Sequence, residues 1–178
     1  MTFEICNFEF GAYFMVLSKK TIEKLMGEDK LRINPFIKAS LGACSYDLHL
    51  GGEGVNPESG KEVRLNPNFY LLAGEFVLIE SQEYLELPNN FVGHLSTRLS
   101  AARLGLMVGF GSKLIQPGSI GKLTLEIKNL SNKEILLQKG LSLVQIYFEK
   151  LDQPVEDIKS YKVNSRMRES NLCEEIIS

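Results

Sequence analysis

The segment TRLSAARLGL, residues 97–106, places two arginines and a serine among small and apolar residues. The guanidinium groups of Arg98 and Arg103 offer forked, charged N–H donors, and the hydroxyl of Ser100 adds a short donor. This combination suits the oxygens of a phosphate group. The same composition is also typical of an amphipathic helical turn whose arginines face solvent. Both interpretations stay open on these residues alone.

Two acidic residues lie in segments with the alternation of β-strands. Asp47 either caps a turn or, at a strand end beside a phosphate, helps to hold a hydrated Mg²⁺. Glu126 lies on the polar face of a strand whose apolar face is formed by Leu123, Leu125 and Ile127. A glutamate in that position either faces solvent or acts as a general base in a cleft.

The overall composition excludes several classes of function. A chain of 178 residues, 44% hydrophobic and 24% charged, predicts one globular domain. A net charge of −2 gives no broad basic surface for nucleic acid or anionic membrane, so any anion site must be local. No apolar run approaches the roughly 18 residues of a membrane helix. The first residues lack a basic region and contain Glu4 and Glu9, which argues against a signal peptide.

Cysteine and histidine are too few and too scattered for a protein-held transition metal. Cys6, Cys44 and Cys173 fit neither a disulfide framework nor paired zinc ligands. The remaining ligand candidates are His49 and His94. We therefore expect a reducing, cytoplasmic environment and no zinc.

The elements that must position these residues are mostly strands. A helix is predicted over residues 18–26, with Ser18 as N-cap and Gly27 at its end. Short β-rich runs separated by turn signals cover most of residues 70–150, which predicts a β-sandwich, jelly roll or barrel. One of the turns is built on Pro117-Gly118.

The order of the motifs SYDLHLG, RLSAARLGL and QPGSIGKLTLE resembles the dCTP deaminase family of the dUTPase superfamily. The resemblance covers residues 15–163, and leaves 1–14 as an N-terminal extension and 164–178 as a short C-terminal arm. It implies a mainly β fold, a distorted β-barrel or jelly roll of the dUTPase-like type with a short N-terminal helix. It further implies a homotrimer that binds a pyrimidine deoxynucleoside triphosphate, with Mg²⁺ carried mainly by the phosphates.

The resemblance also assigns roles to individual residues. Arg98 matches the arginine that grips the triphosphate, and Ser100 matches a hydroxyl on the phosphates. Glu126 matches the general base that takes a proton from water as it adds to C4 of cytosine. Arg103 matches the arginine near the base that orients this glutamate.

Further positions follow from the same match. Asp47 corresponds to the acidic residue of the family's first motif, with an indirect role toward the metal. Gln116 and Gly118 of the turn are expected to contact the substrate, and Gln145 to lie in a strand that lines the site.

The chain departs from the family pattern where the chemistry is expected. Leu99 replaces a serine that helps to hold the attacking water, and Gln116 replaces an aspartate. Ser119 replaces an aromatic residue over the sugar, and the C-terminal arm lacks the family's closing segment. The functions to compare are deamination of dCTP to dUTP with reduced activity, a dUTP diphosphatase, a non-catalytic nucleotide-binding or regulatory homologue, and a structural trimer.

Overall fold

A computed structural model describes residues 15–156 of the chain. The expectations for residues 1–14 and 164–178, and for Cys6 and Cys173, lie outside the described residues. Within the described part, no helix has the length and apolar character needed to cross a membrane. Cys44 is exposed and carries a free thiol.

Strands dominate the secondary structure, which confirms the mainly β prediction. Eleven strands are present in the described part of the chain: β1 Arg32–Asn34, β2 Tyr46–Asn56, β3 Lys61–Arg64, β4 Phe69–Leu71, β5 Phe76–Glu86, β6 Phe91–Thr97, β7 Leu106–Val108, β8 Leu114–Ile115, β9 Ile120–Asn129, β10 Ile135–Leu137 and β11 Ser142–Lys150. The described helices are α1 Lys19–Gly27, α2 Leu99–Arg103 and a 3-10 turn at Lys38–Ser40.

Nine of the strands form one curled antiparallel sheet. Its order is β7-β9-β5-β2-β11-β6-β8, with β1 paired to β5 and β3 paired to β2. The strands β4 and β10 form a separate two-stranded sheet. The order places β2 and β11 at the middle of the sheet, between the strand that carries Glu126 and the strand that ends before Arg98.

The core lies against the inner face of the curled sheet. On β9 the side chains of Leu123, Leu125 and Ile127 are buried, whereas Glu126 on the opposite face is half-buried. This is the alternation that the sequence predicts. Tyr46 of β2 is fully buried in the same core.

Helix α1 confirms the predicted helix, but its ends are built differently. Ser18 occupies the N-cap position, yet its hydroxyl lies 3.1 Å from the hydroxyl of Thr21 and bonds no backbone N–H. The helix ends at Gly27, and the residue with a positive φ is Asp29, at 53°. Ile22 is fully buried and anchors the helix to the core.

Candidate active site

The segment 97–106 contains a short helix that has an arginine at each end. Helix α2 has only five residues, with Arg98 at its N-cap and Arg103 as its last residue. Leu99 in the first turn is 64% exposed, so its apolar side chain does not contribute to the core. The helix therefore holds the two guanidinium groups at opposite ends of a short, exposed turn.

Arg98 is fixed by three contacts to the middle of the sheet. Its Nη2 lies 3.1 Å from Oδ2 of Asp47 on β2. Its Nη1 donates to the carbonyl oxygen of Ser142 at 3.1 Å, and its backbone N–H donates to the carbonyl of Leu143 at 2.9 Å. The Arg98 side chain remains 35% exposed, so the anchored guanidinium still faces solvent.

Gln145 shares a sheet face with the acidic partner of Arg98. It stands opposite Asp47 on β2 and opposite Ser96 on β6. Directly paired residues of antiparallel strands project to the same side, so these three polar side chains form one group. The Gln145 amide oxygen also accepts a hydrogen bond from the hydroxyl of Ser45 at 3.4 Å.

Glu126 is held by the loop that follows β7. The backbone N–H of Gly111 donates to Oε2 of Glu126 at 2.5 Å, and the N–H of Gly109 donates to the Glu126 carbonyl at 2.8 Å. A Cβ atom on residue 111 would lie 2.7 Å from Oε2, inside contact distance. A side chain at position 111 would therefore displace the Glu126 carboxylate.

Thr97 connects the Arg98 end of the site with the Glu126 end. Its hydroxyl donates to the Val108 carbonyl at 2.9 Å and accepts the Val108 N–H at 3.0 Å. Val108 in turn pairs with Ile127, the residue after Glu126. Because Thr97 directly precedes Arg98, this pair of hydrogen bonds closes the curled sheet between the two functional groups.

Ser100 and Arg103 extend outward from the same helix. Both are exposed, and in the part of the chain that the structure describes neither side chain makes a hydrogen bond or an ion pair. Both groups are therefore available to an anion. No described contact joins Arg103 to Glu126 within one chain.

The turn that contains Gln116 and Gly118 packs against the segment that follows β5. The N–H of Ser119 donates to the Gln116 carbonyl at 3.2 Å, and Gly118 has a φ of 70°, the conformation that the third position of a type II turn requires. Gln116 is exposed, whereas Ser119 is buried. The turn is attached to the segment after β5, where the Leu87 N–H donates to the Ser119 carbonyl at 2.9 Å. Among the described contacts, none joins this turn to Arg98.

Three residues of the site were not found by sequence reasoning: Thr97, Gly111 and Ser142. Gly111 and Ser142 act through a backbone N–H and a backbone C=O, groups that residue types do not distinguish, since only proline lacks the N–H. Only the glycine carried a signal, because a glycine in a loop before a candidate base is consistent with a close approach of the backbone.

The described residues contain no group of three or more histidine, cysteine, aspartate or glutamate side chains able to hold a metal ion. Asp47, the candidate for an indirect metal contact, is paired with Arg98.

The fold is a curled antiparallel β-sheet. Its site places Arg98 and Glu126 on either side of the contact between Thr97 and Val108. A protein-family model described as dCTP deaminase-like matches residues 16–151. The chain therefore belongs to the dCTP deaminase-like family.

Two sequence relatives span most of the chain. It is 32% identical over 161 residues to the dCTP deaminase of Thermomicrobium roseum, covering 79% of this chain and 82% of that protein. It is 32% identical over 172 residues to a dCTP deaminase of Dictyoglomus turgidum described as dUMP-forming, covering 85% of this chain and 89% of that protein.

One solved structure shows the same fold. The 2'-deoxycytidine 5'-triphosphate deaminase from Agrobacterium tumefaciens matches 78% of this chain with a TM-score of 0.67 at 23% identity. The match covers 49% of that protein, so the chain spans about half of its length.

Proposed function

We propose that this protein deaminates dCTP to dUTP and thereby acts in pyrimidine deoxynucleotide metabolism. The observation that carries the proposal is the fixed carboxylate of Glu126, joined through Thr97 to the anchored guanidinium of Arg98. A base at one end and an anion-binding group at the other fit a substrate with a reactive ring and a phosphate chain. The similarity to proteins named dCTP deaminase supports this substrate.

In the proposed reaction one water molecule is consumed and one ammonia is released. Oε2 of Glu126 is held by the Gly111 N–H, which leaves Oε1 to take a proton from the water as its oxygen adds to C4 of cytosine. The proton then passes to the amino group, the C4–N bond breaks, and ammonia leaves. Arg103 would orient the carboxylate.

The phosphate chain would lie at the N-terminal end of α2. Arg98 supplies a fixed positive charge there, and Ser100 an exposed hydroxyl. Mg²⁺ would enter with the triphosphate, because the described residues include no acidic cluster to hold it alone. Gln145 lies beside the same group of residues.

The complete site would form between subunits of a homotrimer in the cytoplasm. Within one chain Gln116 and Gly118 are attached near Leu87, without a described contact to Arg98. A neighbouring copy could bring that turn to the phosphate end. Light scattering that gives three times the 20.0 kDa of one chain supports this assembly, and a monomer at micromolar concentration contradicts it.

A second candidate function is release of dUMP, which the name of the Dictyoglomus turgidum relative suggests. That outcome requires water to attack the α-phosphate as well as the ring. By the family resemblance the attacking water would be activated at position 116, where this chain has glutamine. An amide cannot accept that proton, so we favour dUTP as the product.

Product analysis with a Glu126→Gln variant tests the proposal. Wild type incubated with dCTP and Mg²⁺ should yield dUTP and ammonia, resolved by chromatography. Glu126→Gln should lower kcat by about 10²–10⁴-fold, while calorimetry gives a dCTP Kd close to that of wild type, because only the base is lost. Glu134→Gln, an exposed carboxylate outside the site, is the matched control.

The other outcomes each select a different function. Release of dUMP and pyrophosphate from dUTP in a parallel incubation, with no ammonia from dCTP, supports the diphosphatase. Nucleotide binding by wild type without turnover supports the regulatory homologue. The absence of both binding and turnover overturns the nucleotide site and leaves a structural trimer.

A further inference from the structure

We propose that Asp47 is a positioning residue, which holds the guanidinium of Arg98 in place for an incoming phosphate chain. The inference rests on the proposed function, since it assigns a role at the same site. It gives Asp47 a task toward the arginine in place of one toward the metal.

In the described contacts, some N–H donors of the Arg98 guanidinium are engaged and others are free. An arginine has five N–H donors. In the described part of the chain one is taken by the Asp47 carboxylate and one by the Ser142 carbonyl, both at 3.1 Å. Arg98 is thus anchored from the sheet side, and its remaining donors are open to a phosphate on the solvent side.

The two anchors are themselves fixed by the sheet. Asp47 is in register with Gln145 of β11, between the buried neighbours Tyr46 and Leu48. The pairing of β11 with β2 shifts register just after Ser142, and at this irregularity the Ser142 carbonyl accepts the Arg98 side chain. A long, flexible arginine side chain therefore has one orientation defined by two rigid strands.

The charge of Asp47 favours a contact to Arg98 over a contact to a metal ion. The Asp47 carboxylate is paired with a guanidinium, and the described residues include no group of three or more acidic, histidine or cysteine side chains that could hold a cation. Alone near a phosphate chain, a carboxylate would repel the ligand. Asp47 therefore has to increase the affinity for phosphate in another way, and it does so by ordering Arg98.

The test uses Asp47→Asn and Asp47→Ala, alone and combined with Arg98→Ala. Asp47→Ala should raise the Kd for inorganic tripolyphosphate and the KM for dCTP by about 10–100-fold, since a charge-assisted contact is lost, with kcat changed less than about threefold. Asp47→Asn keeps an acceptor oxygen without the charge and should give a smaller increase. In the Arg98→Ala background, Asp47→Ala should have no further effect on tripolyphosphate binding. Asp152→Ala, an exposed aspartate outside the site, is the control.

A Mg²⁺ titration separates the two roles of Asp47. A positioning residue leaves the Mg²⁺ concentration at half-maximal activity unchanged, whereas a metal contact raises it in both variants. The inference is overturned by such a shift, by unchanged tripolyphosphate binding in a folded Asp47→Ala, or by additive effects with Arg98→Ala. If Asp47→Ala does not fold by circular dichroism, Asp47→Asn combined with Arg98→Ala decides in the same way.

The proposed function can fail separately from this inference. Wild type that binds tripolyphosphate but releases no ammonia from dCTP overturns the deaminase, while the Asp47 series on tripolyphosphate still decides the positioning role. Wild type that binds neither ligand overturns both.

Discussion

Glu126 and Gly111 form a unit in which a backbone group fixes a side chain. The Gly111 N–H points at Oε2, and the space where a Cβ would lie is filled by both carboxylate oxygens, at 2.7 and 2.8 Å. The group that would have to move is the end of a flexible side chain, and the surrounding backbone could stay in place. A methyl group at position 111 should therefore act on the carboxylate much more than on the fold.

We predict that Gly111→Ala lowers kcat for dCTP by about 10–100-fold, because a displacement of about 1 Å at a catalytic group has effects of this size. The melting temperature measured by circular dichroism should stay close to that of wild type. Gly27→Ala is the matched control, since a Cβ there meets no atom within 4 Å. Equal kcat values for wild type and Gly111→Ala would show that the Glu126 carboxylate need not be fixed by this loop.

At the scale of elements, strands β2 and β5 are joined by a buried acidic side chain. Glu83 of β5 is fully buried. Its Oε2 accepts the backbone N–H of His49 at 2.9 Å, and its Oε1 lies 2.5 Å from Nδ1 of the His49 ring. The backbone N–H of His49 thus bonds a side-chain carboxylate of β5, and the register of β2 with β5 shifts beyond the next residue, Leu50. This contact holds the strand that carries Asp47.

The same histidine reaches Ser40, whose hydroxyl lies 3.2 Å from Nε2 of His49. The order serine, histidine, glutamate is that of a hydrolase relay. However, the backbone N–H groups of Ser40, Leu41 and Gly42 are all bonded to carbonyl oxygens. None is left to stabilise an oxyanion, so the arrangement serves stability.

We predict that His49→Ala lowers the free energy of unfolding by about 3–5 kcal/mol, because it leaves a buried carboxylate without its side-chain partner. Urea denaturation followed by circular dichroism measures the change. His94→Ala is the matched control: its partner Glu149 at 3.1 Å is partly exposed, and the pair contributes about 0–1 kcal/mol. A similar loss in both variants would contradict a special role for the buried pair.

At the scale of the whole molecule, Tyr46 ties the segment before β2 to the core. Its ring is fully buried and stacks on Phe36 with centroids 5.5 Å apart, and its hydroxyl accepts the Ile37 N–H at 3.0 Å. Burial, with the nearby negative charges of Glu83 and Asp47, raises the pKa of Tyr46 from 10.0 to about 12. Ionisation of this one group therefore opposes the folded state.

We predict that alkaline pH destabilises the protein through Tyr46. In the unfolded chain the phenol loses its proton near pH 10, whereas in the folded protein it keeps it up to about pH 12. The contribution of Tyr46 to the free energy of unfolding is thus complete below pH 10. It falls by about 2–3 kcal/mol as the pH rises to 12. Unfolding free energies measured between pH 9 and 12 should show this slope.

Two tyrosine variants check the assignment. Tyr46→Phe should remove the Tyr46 part of the slope and cost about 0.5–1.5 kcal/mol at neutral pH for the lost acceptor. Tyr70→Phe, at an exposed position, should keep the slope. A slope that is the same in wild type and Tyr46→Phe would assign it to other groups.

Local periodicity and turn chemistry made several features of this protein predictable from its residues. Alternation on β9 placed Glu126 on the polar face, Pro117-Gly118 gave the turn, and residues 18–26 were recognised as a helix. The motif order identified the family, and with it the roles of Arg98 and Glu126 that remain predictions. These signals are local, because a period of two or of 3.6 is written in neighbouring residues.

Which groups contact one another became visible in the folded chain alone. Asp47 and Arg98 come together because β2 and the end of β6 both flank β11. The Gly111 N–H reaches Glu126 because its loop follows β7, which pairs with β9. These contacts depend on strand order, register and backbone groups. Residue types do not encode them locally, since every residue in a strand carries the same C=O and nearly all the same N–H.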